Sequence, residues 1–297
     1  MKGRLVVVSI CAALVAVGLL VPSALNAVFD ALDLALGWMG AFWVVTLISA
    51  GVGVLFILAF PHVSWQRGIV LVKDRIKWNL LSIRLFQDDL LLVLKSTAGT
   101  LLWNFAYIGL NLLPMTVLAA PFMIVWFQLN ALYAFDPLPL GAKRLVEVEL
   151  AAGVDPAMVQ VTVPEGVAVL RTVRLADPKE PRLLLDLRAE APGRHQLTLT
   201  GGGGSVAKSF EVVERSRRLA RLRTSEPFSR FAAAKDPIMF FGESVLPADS
   251  FVRAVTVNYP AKPLGFLAGG EISIMIWFVV VSLVVGFGLK GVFGVEI

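Results

Sequence analysis

Apolar residues run along this chain in two rhythms. In the first 135 residues and the last 30 they form long uncharged runs: Leu5–Phe29, Leu34–Gln66, Ser96–Phe135 and Ile272–Leu289. Between about 136 and 268 they alternate with polar residues over short stretches. About 20 apolar residues suffice to cross a bilayer as a helix. The runs predict transmembrane helices at 38–60, 112–135 and 272–289. Residues 1–29 read either as a signal peptide or as an N-terminal transmembrane helix. Lys2 and Arg4 precede the apolar stretch, and small residues follow Pro22 at Ser23–Ala27, a layout that fits both. Asp30 and Asp33 mark residues 30–36 as a short acidic connector.

Residues 62–113 differ from their neighbours. Arg67, Lys73, Arg75, Lys77, Arg84 and Lys95 stand against Asp74, Asp88 and Asp89. Ile69, Val72, Ile76, Leu80, Ile83, Phe86, Leu90 and Val93 step by three or four, the spacing of one helical face. Ser96-Thr97-Ala98-Gly99-Thr100 reads as a turn, and Leu101–Leu113 as a second helical piece. The reading is a coiled-coil-like helical hairpin with a long first arm. A single amphipathic helix lying on the bilayer fits the same pattern.

The middle region predicts short strands at Arg144–Leu150, Met158–Val163, Val167–Leu175, Arg182–Ala189, His195–Thr200 and Val206–Val213. Gly, Pro and Asp turns separate them, including the loop Gly201–Gly204. Six strands at this spacing predict an all-β, sandwich-like domain over 136–268. One more strand is expected at Phe251–Asn258. Arg215, Arg217, Arg218, Arg221 and Arg223, with Leu219 and Leu222, read as a short helix with a solvated or headgroup-contacting basic face.

Composition sharpens this. Of 297 residues, 57% are hydrophobic and 16% charged, with a mean hydropathy of +0.77. Typical soluble domains carry about 25% charged residues. The fold class expected is an α-helical membrane protein of three or four spans with a cytoplasmic helical hairpin, plus an extracytoplasmic β domain. Short loops rich in Lys and Arg face the cytoplasm, so Arg67, Lys73, Arg75, Lys77 and Arg84 place the arm inside. A bacterial cytoplasmic membrane is the expected location. The domains are then 1–29, a membrane core 30–135, the β domain 136–268, and a final span with its tail, 269–297. The net charge is +5, and no basic tract with interleaved aromatics points to nucleic acid. Cys11 is the single cysteine, which excludes an intrachain disulfide.

No catalytic constellation emerges. His62 and His195 lack the partners a triad or metal site needs. Gly201–Gly204 and Ser205 lack the Gly-Lys ending of a phosphate loop. No metal and no cofactor is expected, and the chain reads as a non-enzyme. Polar residues within or beside spans instead suggest a hydrophilic groove: Thr46, Ser49, Asn104, Asn111, Gln128 and Asn130. Buried amides usually face protein or a wet cavity, although solvation at the interfaces explains them equally.

Residues 61–135 resemble the YidC/Oxa/Alb insertase superfamily. The likeness is to its reduced three-span branch, with archaeal YidC-like proteins and the insertase subunit of the ER membrane protein complex. It rests on the order span, hairpin, span, and on Asn111-Leu112-Leu113-Pro114-Met115, which opens the span after the hairpin. The resemblance implies an insertase or membrane chaperone that eases client segments into the bilayer. Nascent membrane proteins, the ribosome and the lipid bilayer would be its partners. Two features depart from the family: no Arg lies inside a span, and the β domain follows the second core span. The alternative is a structural subunit whose membrane anchor presents the β domain to an envelope, secretion or transporter partner.

Overall fold

The structure, a computed structural model, describes residues 2–20, 22–213, 218–225, 243 and 246–295. Among them five helices come first: α1 (Lys2–Leu20), α2 (Pro22–Leu36), α3 (Ala41–Val63), α4 (Gln66–Leu85) and α5 (Leu90–Tyr133). Eight strands follow, and then helix α6 (Gly270–Leu289). Helices α3, α5 and α6 are long and apolar enough to cross a membrane. The chain divides into two compact units. One holds residues 1–16, 46–124 and 277–297, the other 17–45 and 125–276.

In the helical unit α3 and α6 run side by side. Trp277 donates its indole N–H to the Thr46 hydroxyl at 2.8 Å, and the Ser282 hydroxyl donates to the Ser49 carbonyl at 2.9 Å. Gly53 makes the approach possible: a Cβ there would lie 2.5 Å from the Ser282 carbonyl oxygen. Phe122 of α5 meets Phe278 of α6 with ring centroids 4.2 Å apart.

The predicted arm is a hairpin, but its turn lies elsewhere. The chain reverses at Phe86–Asp89, where Asp89 accepts from the Leu92 N–H at 3.0 Å and caps α5. Ser96–Thr100 sits inside α5, not in a turn. The Thr97 and Thr100 hydroxyls donate to carbonyls four residues back, at 2.8 and 2.9 Å, so they join the helix rather than break it. Gly99 lets the arms close, since a Cβ there would meet the Asn79 side chain at 2.9 Å. One turn on, the Arg75 guanidinium lies 6.0 Å from the Trp103 ring centroid. Helix α5 therefore unites the returning arm and the apolar stretch that follows it. Its 44 residues measure about 66 Å, twice the roughly 30 Å of a hydrocarbon core. Pro114 and Pro121 lie within it.

The other unit carries the β domain. Strands β1 (Lys143–Leu150), β3 (Val167–Leu175), β4 (Arg182–Ala189), β7 (Leu222–Thr224) and β8 (Val252–Val257) form a five-stranded sheet in the order β3-β4-β1-β8-β7. Strands β2 (Gln160–Thr162), β5 (Gly193–Gly201) and β6 (Gly204–Val212) form a second sheet in the order β2-β5-β6. Every paired strand is antiparallel. Alternation produces the core directly. Leu183, Leu185 and Leu187 point inward from β4 and meet Leu197, Leu199 and Phe210 of the second sheet. Gly202 and Gly203 turn β5 into β6 with φ of 57° and 78°, the conformation of a two-residue type I′ hairpin. The Met158 end of the second predicted strand is instead a 3-10 turn, Pro156–Met158.

Two further expectations are corrected here. Residues 30–36 are not a connector but the second half of α2, which begins on Pro22, a residue suited to a first helical turn. The arginine run is not a helix over its described part: Leu222–Thr224 is β7, and residues 218–221 are irregular. Arg215 and Arg217 lie outside the described residues.

Candidate functional site

The six groove candidates divide between the units. Thr46, Ser49, Asn104 and Asn111 belong to the helical unit, Gln128 and Asn130 to the other. Thr46 and the Ser49 backbone are taken up by α6, as described above. Asn104 is exposed and donates to the Thr100 carbonyl at 2.8 Å. Asn111 is buried and donates to the Tyr107 carbonyl at 2.8 Å, while its Oδ1 meets no donor. A cavity of about 210 Å³ does open among α3, α5 and α6, but Phe56, Ile57, Met115, Leu118, Phe122 and Phe287 dominate its walls. None of the four helical-unit candidates lines it. The cavity there is apolar. Hydroxyls and amides on a helix bond most cheaply to their own backbone or an adjacent helix.

Gln128 is fully buried in a polar knot that sequence reasoning missed. Its amide N–H donates to Asn26 Oδ1 at 2.8 Å, and its Oε1 accepts from Arg218 at 2.5 Å. Arg218 also donates to an Asp30 carboxylate oxygen and to the Asn26 carbonyl, both at 2.9 Å. Beside this, the Tyr133 hydroxyl donates to Asp33 at 2.6 Å. Burial pulls the Arg218 guanidinium below its ordinary range and the Asp30 carboxylate opposes it; an arginine stays charged in either case. The Asn130 Oδ1 is buried with no donor. The pair Asp30 and Arg218 is 188 residues apart, and neither residue carries a local motif that announces the other.

Arg221 and Arg223, the other described arginines of the run, are also engaged. Arg221 pairs with Glu271 at 3.3 Å and sits 5.3 Å from the Phe135 ring centroid. Arg223 donates to the Ala207 carbonyl. Lys208, wholly buried in β6, donates to the Ala220 carbonyl and forms an ion pair with Glu243. Glu243 also accepts from the Ser209 N–H at 2.8 Å. Burial pushes the Lys208 ammonium below the usual lysine range, against the pull of Glu243. Burial likewise raises the Tyr259 hydroxyl.

On the arm, Arg67, Arg75, Lys77 and Arg84 are exposed and Lys73 is half-buried. Lys77 meets Asp74 at 3.6 Å, with both side chains largely in solvent. Between these bases the hairpin exposes Trp78, Leu81, Leu85, Leu94, Leu101 and Phe105. The histidines are held locally: His62 Nδ1 lies 2.9 Å from the Leu58 carbonyl, and His195 Nε2 lies 2.9 Å from the Ala191 carbonyl. Among the described residues no group of three or more His, Cys, Asp or Glu is placed to hold a metal. No protein-family model matches the chain, and no curated protein is significantly similar to it.

Proposed function

We infer that the protein is a membrane-embedded insertase or membrane chaperone of bacterial type. Its basic hairpin receives apolar client segments at the cytoplasmic surface and passes them to the bilayer beside α3, α5 and α6. The observation that carries this reading is the hairpin α4–α5, which follows α3 and whose second arm continues into the apolar part of α5. It bears an exposed apolar stripe flanked by bases. A segment bound for the bilayer is apolar, and the anionic cytoplasmic leaflet draws basic arms. Catalysis of this kind needs no covalent chemistry. It needs a surface that keeps an apolar segment from aggregating while it leaves water. Thr46 and the Ser49 backbone fasten α3 to α6.

The test is site-directed photocrosslinking from Leu94, Leu101 and Phe105 in the full chain, during synthesis of membrane proteins. Adducts with nascent membrane proteins, lost when Arg75, Lys77 and Arg84 are changed to Glu, are expected. Adducts only with mature envelope proteins would overturn the reading.

The alternative role, an anchor that presents the β domain to an envelope partner, draws on the self-contained two-sheet core of that domain. It expects crosslinks from the outer faces of β3 and β4 and none from the arm.

A further inference from the structure

We propose that the turn of residues 264–267, with Trp38 and Trp43 beside it, is an interfacial anchor. It dips into the headgroup layer of a bilayer and seats the β domain there. The inference rests on α3 and α6 crossing a membrane, as in the reading above, and is independent of any insertase activity.

The turn is built to hold an apolar side chain outward. The Leu264 N–H donates to the Leu267 carbonyl at 3.2 Å, and the Leu267 N–H donates back to the Leu264 carbonyl at 2.9 Å. Gly265 and Phe266 are the two central residues. Such positions usually hold Gly, Asn or Asp. Here the tip is Phe266, and it is 75% exposed. Gly265 adopts a φ of 59°, and a Cβ there would stand 2.6 Å from the Phe42 ring. The turn therefore lies directly against Phe42. Leu264 is fully buried, and the Lys262 N–H donates to the Ala134 carbonyl at 2.9 Å. The turn is thus tied at its base as well as at its tip.

Chain continuity says what covers this surface. Phe42 is the second residue of α3, and Phe266 stands four residues before α6. Their ring centroids are 6.1 Å apart. Both helices are long and apolar enough to cross a membrane, so both begin at this level. The bond from Trp277 to Thr46 joins them seven and five residues further in. At about 1.5 Å per residue, the two starts agree to within about 3 Å. The headgroup layer is about 5–8 Å deep on each side of a bilayer. Phe266 falls within it.

The tryptophans extend the anchor. Trp38 lies in the 3-10 turn Gly37–Met39, just ahead of α3, and is 82% exposed. Trp43 is 58% exposed and meets Phe42 edge-on, with centroids 5.4 Å apart. The Trp38 indole N–H already donates to the Ala35 carbonyl at 3.0 Å. Its ring can therefore leave bulk water without stranding a donor. Large exposed rings gathered in one place are a liability in water. At a membrane–water boundary they are the favoured side chains.

The test is depth-resolved quenching of the full chain in phosphatidylcholine nanodiscs. In a Cys11→Ala background, Phe266→Cys, Trp38→Cys, Met158→Cys and Val280→Cys are each labelled with a nitrobenzoxadiazole dye. All four positions are exposed; Met158 belongs to the β domain and Val280 lies midway along α6. The lipid carries a nitroxide either near its glycerol or near the end of its acyl chain. The dyes at 266 and 38 should lose several-fold more emission to the glycerol-level nitroxide than to the other. The dye at 280 should show the reverse, and the dye at 158 should respond to neither. A thermal melt checks each labelled chain, and Trp38→Cys decides the matter if Phe266→Cys fails to fold. Dyes at 266 and 38 quenched no more than the one at 158, with the dye at 280 still quenched, would overturn the anchor alone. That result would leave the surface to solvent or to a protein. No quenching at 280 either would overturn the membrane reading and the anchor with it.

Discussion

The guanidinium of Arg218 lies 2.9 Å from the carboxylate of Asp30, and its side chain is 9% exposed. The pair joins the loop before β7 to helix α2, and Gln128 and Asn26 complete the shell. Arg218→Met should therefore uncouple three segments at once. It removes the guanidinium from which the partly buried Asp30 carboxylate and the buried Gln128 amide oxygen both accept. A loss of about 1–3 kcal/mol is expected, discounted because Asp30 keeps 30% exposure. Arg218→Lys should not restore it, because an ammonium cannot reach three acceptors in the plane of a guanidinium. Thermal melts of the full chain in micelles measure both variants.

The same knot bears on processing. A cut after Ala27 would divide α2 and remove Asn26, the partner of both Gln128 and Arg218. The N-terminal helix is expected to stay attached in the protein isolated from membranes. Intact mass spectrometry decides: a species starting at Val28 would contradict this.

Two neighbouring glycines should respond in opposite ways. Gly53→Ala sets a methyl group 2.5 Å from a backbone oxygen of α6, which only a helix shift can relieve. Overpacking of this kind costs about 1–3 kcal/mol. A Cβ at Gly51 meets nothing within 4 Å, so Gly51→Ala should hold or raise stability by up to about 1 kcal/mol. Melting temperatures of the two variants, compared side by side, provide the check.

Lys208 and Glu243 form a buried ion pair, so removing one partner differs from removing both. Lys208→Met alone strands a carboxylate and should cost about 3–5 kcal/mol. Lys208→Met with Glu243→Gln should recover most of it. Burial depresses the Lys208 ammonium in the folded state, so the unfolded chain binds more protons between the folded value and the ordinary one. Its share of stability therefore rises with pH across that window, which ends at the ordinary lysine value, and is flat below it. Denaturant titrations at several pH values, with and without Lys208→Met, isolate this slope.

Much of the fold is legible in the chain. The alternating leucines of Arg182–Ala189 and the uncharged run Ile272–Leu289 dictate a strand and a long helix with little ambiguity. The hairpin turn was misplaced because Ser96–Thr100 looks like a breaker, yet its hydroxyls find carbonyls within the helix. The better signal was Asp88-Asp89 before a leucine run, a helix start. The Arg218 knot was illegible for another reason: its members are ordinary surface residue types, and only the closed chain brings positions 26, 30, 128 and 218 together. The groove candidates show the converse. Their polarity was visible, but whether a side chain turns to a cavity or to its own backbone is settled by neighbours the sequence does not place.

Helix α5 carries one last implication. No joint interrupts it between its cap at Asp89 and Pro114, a stretch of roughly 36 Å. Its first proline is Pro114, where a missing N–H weakens the backbone ladder. A lever of this length, hinged at Pro114, carries a displacement of the hairpin tip toward the apolar part of α5.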